Sequence, residues 1–183
     1  MVNSISEDSN DPLLKVCHLL NKHHVKYLVV GGYACIMHGL VRTTEDVDLL
    51  VQEKTENYLQ VIEALSELED HAARELKVDD FVENVVIKVA DEVEVDVSRR
   101  AWTVTYADAA PHALSVIIDG VSIPYVGLSD LIKSKKTYRE KDKWDIQRLK
   151  RLAGEREPES HPDSNSLLAR FKRYFHFLNH RQR

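Results

Sequence analysis

The pattern of apolar and polar positions along the chain predicts alternating helices and strands. Apolar residues recur at helical spacing in some segments and fill short β-rich runs in others. Helices are predicted over residues 11–25, 33–38, 53–68, 128–136 and 143–152. Strands are predicted over residues 26–30, 47–51, 85–89, 93–97, 116–118 and 121–125. The length of 183 residues predicts one domain, with room for a C-terminal appendage.

Local signals mark several ends of these elements. Asp11 precedes Pro12, which is typical of a helix N-cap followed by the first helical position. Gly39 is expected to end the second helix. Asp119–Gly120 lies between two apolar runs and predicts a tight β-hairpin.

Composition divides the chain into four parts. We expect residues 1–10 to form a disordered lead and residues 11–153 to form the folded domain. Residues 154–166 contain two prolines and little apolar surface, which predicts a linker. Residues 167–183 combine apolar residues at helical spacing with basic ones, which predicts a basic amphipathic helix. Docking on its own domain or dimerisation is favoured for that helix, and RNA binding is the alternative.

The overall composition fits a globular protein. The 183 residues are 43% hydrophobic and 30% charged, with a net charge of -5, so the chain can bury a core. The N-terminal residues do not resemble a signal or transit peptide, and no apolar run reaches membrane-spanning length. Cys17 and Cys35 lie in apolar helical contexts, which indicates buried free thiols. We therefore expect a cytoplasmic protein with no membrane partner.

Asp46 and Asp48 are the first candidate functional residues. They are two positions apart in a predicted strand, so their side chains point to the same face. Two neighbouring carboxylates repel each other unless a cation lies between them. Gly31 and Gly32 end the preceding strand in a turn that can approach a phosphate closely. Together these features indicate a divalent-metal site for nucleoside triphosphate chemistry.

Asp96 is the best candidate for a third carboxylate. It lies between two valines in a predicted strand, where a charged side chain has no packing purpose. In a two-metal scheme it would bind the metal that activates the attacking hydroxyl and would accept the proton. Glu94 lies on the same face and is the rival. The pair Asp46 and Asp48, taken alone, also fits the polar face of an edge strand.

These motifs together resemble the DNA polymerase β-like nucleotidyltransferase superfamily. The resemblance covers roughly residues 25–152 and rests on the glycine pair, the Asp-x-Asp between apolar residues and the later Asp between valines. The segment V-G-G-Y-A…H-G…R-T-T-E-D-V-D is most similar to minimal nucleotidyltransferases related to the toxins of abortive-infection toxin–antitoxin systems. The resemblance implies a mixed α+β nucleotidyltransferase fold, with a small mixed sheet flanked by helices and a C-terminal helical appendage.

The resemblance also implies roles for individual residues. The catalytic and metal-binding residues would be Asp46, Asp48 and Asp96. The nucleotide-binding residues would be Gly31, Gly32, Arg42, Lys135, Lys141 and Asp142, with Asp145 one helical turn further on. Arg42, four residues before the acidic pair, would either contact a phosphate or pair with a carboxylate. Gly32 stands where many members of the superfamily have serine, so backbone N–H groups and Lys135 would contribute more to triphosphate binding. Tyr138 stands where the family pattern has a small residue.

Other conspicuous side chains allow more than one interpretation. The N-terminal half holds four histidines without metal-ligand spacing, for which solvated or capping roles are expected: His18, His23, His24 and His38. Tyr33 suits either base stacking or the core, and so does Trp102. Trp144 and Leu149 are expected in the core. The lysines and arginines between residues 133 and 143 suit either a solvated helix face or phosphate contact.

The implied function is metal-dependent transfer of a nucleoside monophosphate from an NTP to an acceptor hydroxyl. Mg²⁺ is the expected cofactor, with Mn²⁺ as the alternative. The acceptor would be RNA, such as a tRNA 3′ end, or a protein, and an antitoxin or a second copy of the chain would be a further partner. Two other hypotheses are a non-catalytic regulatory protein of the same fold and an antitoxin-like partner of another chain.

Overall fold

The structure is a computed structural model that describes residues 11–154. Its helices are α1 (Pro12–Lys22), α2 (Gly31–Met37), α3 (Thr55–Leu65), α4 (Val78–Glu83), α5 (Tyr106–Ala109), α6 (Leu128–Ser134) and α7 (Glu140–Gly154). Its strands are β1 (Tyr27–Val29), β2 (Val47–Val51), β3 (Val86–Ala90), β4 (Glu94–Ser98), β5 (Arg100–Ala101), β6 (Val104–Thr105), β7 (Leu114–Ile118) and β8 (Val121–Tyr125). Two short 3-10 turns, Ala72–Glu75 and Ala110–His112, complete the described part.

Six of the strands form a mixed sheet in the order β3-β4-β2-β1-β8-β7. The central strand β1 pairs antiparallel with β2 and parallel with β8. β2 pairs parallel with β4, and the outer pairs β3–β4 and β7–β8 are antiparallel. β5 and β6 form a separate two-stranded ribbon. This architecture confirms the mixed α+β fold, a nucleotidyltransferase-like sheet flanked by helices.

Helices cover the two faces of the sheet unequally. Tyr27 and Val29 of β1 join one apolar cluster with α1 and α3, while Leu28 joins a second cluster with α6 and α7. In β4 only one face is apolar, because Val95 is buried whereas Asp96 on the other face is partly exposed. That alternation is the one predicted from the sequence. The polar face of β4 therefore lies where helices do not cover the sheet.

The predicted element ends at Asp11 and at the hairpin are confirmed. The Leu13 N–H donates to Asp11 Oδ1 at 2.9 Å, as expected for an N-cap. Asp119 and Gly120 have φ values of 47° and 83°, the positive values that a two-residue type I′ turn requires. The chain therefore reverses tightly between β7 and β8.

Other boundaries differ from the prediction by a few residues. Helix α2 begins at Gly31 instead of residue 33, because Gly31 adopts φ of 58° and turns the chain directly from β1 into the helix. Helix α7 begins at Glu140, and α3 is shorter at both ends than the predicted segment. Elements α4, α5, β5 and β6 were not predicted, since each is too short to show a period.

The prediction that Trp144 is a core residue is wrong. Its side chain is 62% exposed, because five residues on a helix separate it by well over a quarter turn from the buried Leu149. Leu149 and Tyr33 are buried, and Cys17 and Cys35 are buried free thiols as predicted. Among residues 11–154, no helix is long and apolar enough to cross a bilayer. The predicted lead and C-terminal helix, and all but the first residue of the predicted linker, lie outside the described residues.

Candidate functional site

The strand register brings two of the predicted carboxylates side by side. β2 and β4 run parallel with Asp48 directly opposite Asp96. Asp46 precedes β2 by one residue and interacts electrostatically with both. Because side chains two apart on a strand share a face, all three carboxylates lie on the polar face of the sheet. The pairing of β2 with β4 therefore brings Asp96 next to the two other aspartates, although it is far from them in the sequence.

The glycine pair makes room for Asp48. A Cβ atom on Gly31 would lie 1.9 Å from Asp48 Oδ2, and the positive φ of Gly31 also disfavours any other residue. The Gly32 N–H donates to the same oxygen at 3.3 Å. In this structure the turn therefore contacts the Asp48 carboxylate itself, at the place where the sequence predicts a phosphate to approach.

Thr44 is a site residue that the sequence reasoning missed. A Cβ atom on Gly32 would lie 2.2 Å from Thr44 Oγ1, so the threonine hydroxyl fills the space next to the turn. The same hydroxyl contacts the Asp46 carbonyl oxygen at 3.5 Å. The signal that could have found it is a hydroxyl residue two positions before Asp46, in a chain whose glycine turn lacks a serine.

The charge of the carboxylates is only partly compensated. Burial raises the pKa of Asp48, and the charges of Asp96 and Asp46 raise it further, against the opposing effects of the Gly32 N–H and the Lys135 charge. Burial also raises the pKa of Asp96, with Lys88 opposing and the neighbouring acids reinforcing the shift. Both carboxyl groups are therefore harder to ionise than ordinary aspartates.

One oxygen in the group has no hydrogen-bond donor. Among the described residues, Asp96 Oδ1 is the buried side-chain oxygen or nitrogen left without a hydrogen bond. The Lys88 ammonium lies 3.8 Å from it, close enough for an ion pair and too far for a hydrogen bond. Lys88 is instead bonded to Glu94. Glu94 therefore already has a cation, which favours Asp96 over its rival as the third carboxylate.

The donor set fits a divalent cation that prefers oxygen ligands. Three carboxylates share one face, the pKa values of Asp48 and Asp96 are raised, and one buried oxygen has no hydrogen-bond donor, so the protein leaves part of this negative charge unbalanced. Within residues 11–154 no three acidic, histidine or cysteine side chains yet converge on one point as a metal site. Binding of an ion by Asp46, Asp48 and Asp96 would therefore require side-chain rotation.

A second group of charges lies beside the first and is fully paired. Lys135 is buried, and its ammonium lies 2.9 Å from Asp145 Oδ2 and 3.3 Å from Asp142 Oδ1. Arg42 Nη1 lies 2.6 Å from Asp145, and Arg139 Nε lies 2.8 Å from Asp142. The group thus joins α6, α7 and the segment before β2.

The pKa values in this second group move in the directions of stable ion pairs. Burial opposes the charge on Lys135, but nearby negative groups, Asp145 and Asp142 among them, outweigh it and raise the lysine pKa. Burial likewise opposes the charge on Asp142, and hydrogen bonds from Thr137 and Arg139, with the Lys135 charge, lower its pKa. Each charge therefore stabilises its neighbours.

The predicted site residues thus fall into three sets. The first, at the glycine turn and acidic face, comprises Gly31, Gly32, Asp46, Asp48 and Asp96. The second, the paired group, comprises Arg42, Lys135, Asp142 and Asp145. Lys141 belongs to neither, because it is exposed on α7 and lines a pocket beside Arg42. Among the histidines, His38 is buried against the Val126 carbonyl oxygen at 2.8 Å.

The six-stranded mixed sheet flanked by helices is consistent with a nucleotidyltransferase-like fold. The family model described as nucleotidyl transferase of unknown function (DUF2204) matches residues 9–160. This chain therefore belongs to that family of nucleotidyl transferases. No curated protein matches it.

Proposed function

We propose that the protein transfers a nucleoside monophosphate from an NTP to an acceptor hydroxyl, with a divalent metal held by Asp46, Asp48 and Asp96. The observation that supports this most is the unsatisfied Oδ1 atom of Asp96, which lies on a strand in register with Asp48. A buried carboxylate oxygen without a donor is costly unless a cation binds it. Mg²⁺ prefers such oxygens, and Mn²⁺ accepts the same ligands.

The reaction is an in-line displacement at phosphorus. The acceptor oxygen forms a bond to the α-phosphorus, the bond between that phosphorus and the bridging oxygen of the β-phosphate breaks, and pyrophosphate leaves. Asp96 takes the proton of the acceptor hydroxyl, for which its raised pKa is suited. The metal, when bound, supplies charge neutralisation for the triphosphate and lowers the pKa of that hydroxyl.

The glycine turn and Thr44 are the groups we assign to the triphosphate. The bond from the Gly32 N–H to Asp48 is long, at 3.3 Å, so a phosphate oxygen could replace it at little cost. The Thr44 hydroxyl beside the turn would supply the donor that serine supplies in similar nucleotidyltransferases. The Lys135 ammonium is held by Asp142 and Asp145, and its charge lowers the pKa of Asp48, so the role we assign to it is neutralisation of the triphosphate through its electrostatic field.

RNA, such as a tRNA 3′ end, is the acceptor we propose first, and a protein hydroxyl is the second. A role as the toxin of a toxin–antitoxin pair rests on the sequence resemblance. It predicts growth arrest when the protein is expressed without a partner, and rescue by Asp46→Asn.

The decisive experiment is transfer from labelled NTPs. Purified protein is incubated with Mg²⁺ or Mn²⁺, each NTP in turn, and total RNA or protein. We expect labelled product from the native protein and a loss of about 100-fold or more for Asp46→Asn, typical of removing a group that stabilises charge in the transition state. Asp79→Asn is the matched control, because Asp79 is exposed on α4 at the other face of the sheet.

The absence of product with all four NTPs, together with unchanged Mn²⁺ binding in Asp46→Asn, would overturn the enzymatic proposal. NTP binding without transfer would instead favour the non-catalytic alternative. Measuring Mn²⁺ and NTP binding beside transfer therefore separates the two hypotheses.

A further inference from the structure

A pocket of about 360 Å³ lies between the segment preceding β2 and helix α7. Six of its lining residues carry the inference: Val41, Arg42, Thr43, Lys141, Trp144 and Arg148. It adjoins the glycine turn, because Thr43 precedes the Thr44 hydroxyl that fills the space beside Gly32. The pocket is therefore next to the carboxylates and is formed by different residues.

The most unusual lining residue is Trp144. Its indole is 62% exposed, and Val41 opposite is 87% exposed. Exposing so much apolar surface is unfavourable, and an exposed tryptophan in a pocket is typical of a binding site. Trp144 and Val41 thus form an apolar wall that the described residues leave open to solvent.

One cationic side chain precedes Trp144 on helix α7 and another follows it. Lys141 and Arg148 are three residues before and four residues after Trp144, so all three share one face of α7. Within residues 11–154 neither cation has an ion-pair partner, in contrast to Lys143, which pairs with Glu140. Arg42 and Asp145 also line the pocket, and they form an ion pair in which Arg42 Nη1 lies 2.6 Å from Asp145 Oδ2.

We propose that this pocket binds one nucleotide unit, with its base stacked on Trp144 and its phosphate between Lys141 and Arg148. An aromatic face flanked by cations is the combination that binds unpaired nucleotides, since every base has a face that stacks and every phosphate is an anion. The proposal rests on the proposed function, in which the unit belongs either to the NTP or to the acceptor strand. The basic segment 167–183 is a poor occupant, because it would bring like charge to the pocket.

The test uses the intrinsic fluorescence of Trp144. The chain contains two tryptophans, so Trp102→Phe leaves Trp144 as the single tryptophan, which is excited selectively over the seven tyrosines. This full-length variant is titrated with an NTP and, separately, with a single-stranded oligoribonucleotide. Quenching by the free NTP identifies the substrate nucleotide as the occupant, and quenching by the oligonucleotide alone identifies the acceptor strand. Absence of quenching by both would overturn the proposal.

A second readout does not depend on tryptophan emission. Anisotropy of a labelled form of the quenching ligand is expected to show about 10-fold weaker binding to Trp144→Ala, while Trp144→Phe stays near the native value. Arg148→Ala is expected to weaken binding and reduce its salt dependence by about one phosphate contact. Lys150→Ala removes the same charge from α7 outside the pocket lining and is the control. Equal binding by Trp144→Ala and native protein would overturn the proposal.

The outcomes also separate this inference from the proposed function. If Trp144→Ala binds normally while Asp46→Asn abolishes transfer, only the pocket assignment is wrong. If quenching occurs and no NTP is transferred by any variant, the pocket stands as a nucleotide site and the enzymatic proposal fails.

Discussion

Two acidic clusters lie next to each other in this molecule and differ in how their charge is balanced. The cluster on the sheet, Asp46, Asp48 and Asp96, has raised pKa values at two positions and one buried oxygen without a donor. The cluster between α6 and α7 places Asp142 and Asp145 against Lys135, Arg42 and Arg139, with the pKa of Asp142 lowered.

The difference separates carboxylates whose charge is balanced by cations of the fold from carboxylates whose charge is balanced only in part. In the paired cluster every carboxylate has a cation within hydrogen-bonding distance, so nothing further is needed. In the sheet cluster, Lys88 compensates repulsion and burial only partly, which a native structure tolerates mainly at functional sites. In this structure the Asp142 carboxylate is held by Lys135 and Arg139, and its role in nucleotide binding stays a prediction from the sequence resemblance.

The largest effect should come from breaking the paired cluster. Lys135→Met leaves two buried carboxylates with one fewer cation, and we expect the free energy of unfolding to fall by about 3 kcal/mol. Urea denaturation measures this loss. Lys136→Met, on an exposed neighbour, should change stability by less than about 0.5 kcal/mol. A loss below about 1 kcal/mol for Lys135→Met would show that the cluster is solvated and that the contrast between the two clusters is false.

The sheet cluster should respond in the opposite sense. Asp48→Asn removes a buried, repelled charge while an amide oxygen can still accept from the Gly32 N–H. We therefore expect the metal-free protein to gain about 1 kcal/mol at neutral pH, with loss of nucleotidyl transfer. Thermal unfolding in EDTA measures the gain, and Asp79→Asn should show none.

The pH dependence of folding stability tests whether the raised pKa of Asp48 is the cause of this gain. The pKa of Asp48 is higher in the folded protein than in the unfolded chain, so the folded state binds the proton more tightly. The stability linked to this proton is fully present below the unfolded carboxyl pKa of about 4 and is lost as pH rises through the folded pKa. The advantage of Asp48→Asn should consequently vanish near pH 4. An advantage of equal size at all pH values would contradict the assigned cause.

Much of the fold and the acidic residues could be predicted because both depend on local patterns. Alternation in β4 places Val95 in the core and Asp96 on the polar face, whatever strand lies beside it. The hairpin at Asp119–Gly120 depends on two residues with positive φ. These features need no knowledge of distant contacts.

Features that depend on distant contacts could not be predicted. The register that sets Asp48 opposite Asp96 joins β2 and β4, and α3, α4 and β3 lie between these two strands in the sequence. The Arg42–Asp145 pair links residues 103 positions apart, so the sequence allowed Arg42 to pair with a carboxylate but could not identify Asp145 as its partner. The exposure of Trp144 depends on which face of α7 meets α6 and β-sheet residues, and hydrophobicity alone pointed to the wrong face.

The smallest expected effect concerns the Lys88 ammonium, because it gives the sheet cluster part of the charge balance that the paired cluster has in full. Each cluster has one lysine: Lys88 lies at the sheet cluster and Lys135 lies in the paired cluster. The Lys88 side chain is 53% exposed, whereas the Lys135 side chain is 7% exposed. An exposed ammonium bonded to Glu94 balances Asp96 only partly, and a metal would have to compete with it. Lys88→Met should therefore tighten Mn²⁺ binding about threefold, measured by calorimetry at low salt.

Lys54→Met, a change at another exposed lysine, should leave the Mn²⁺ affinity unchanged, and high salt should reduce the difference between Lys88→Met and the native protein. Weaker Mn²⁺ binding by Lys88→Met would mean that Lys88 positions Asp96 for the metal instead of competing with it, and the two lysines would then have the same role.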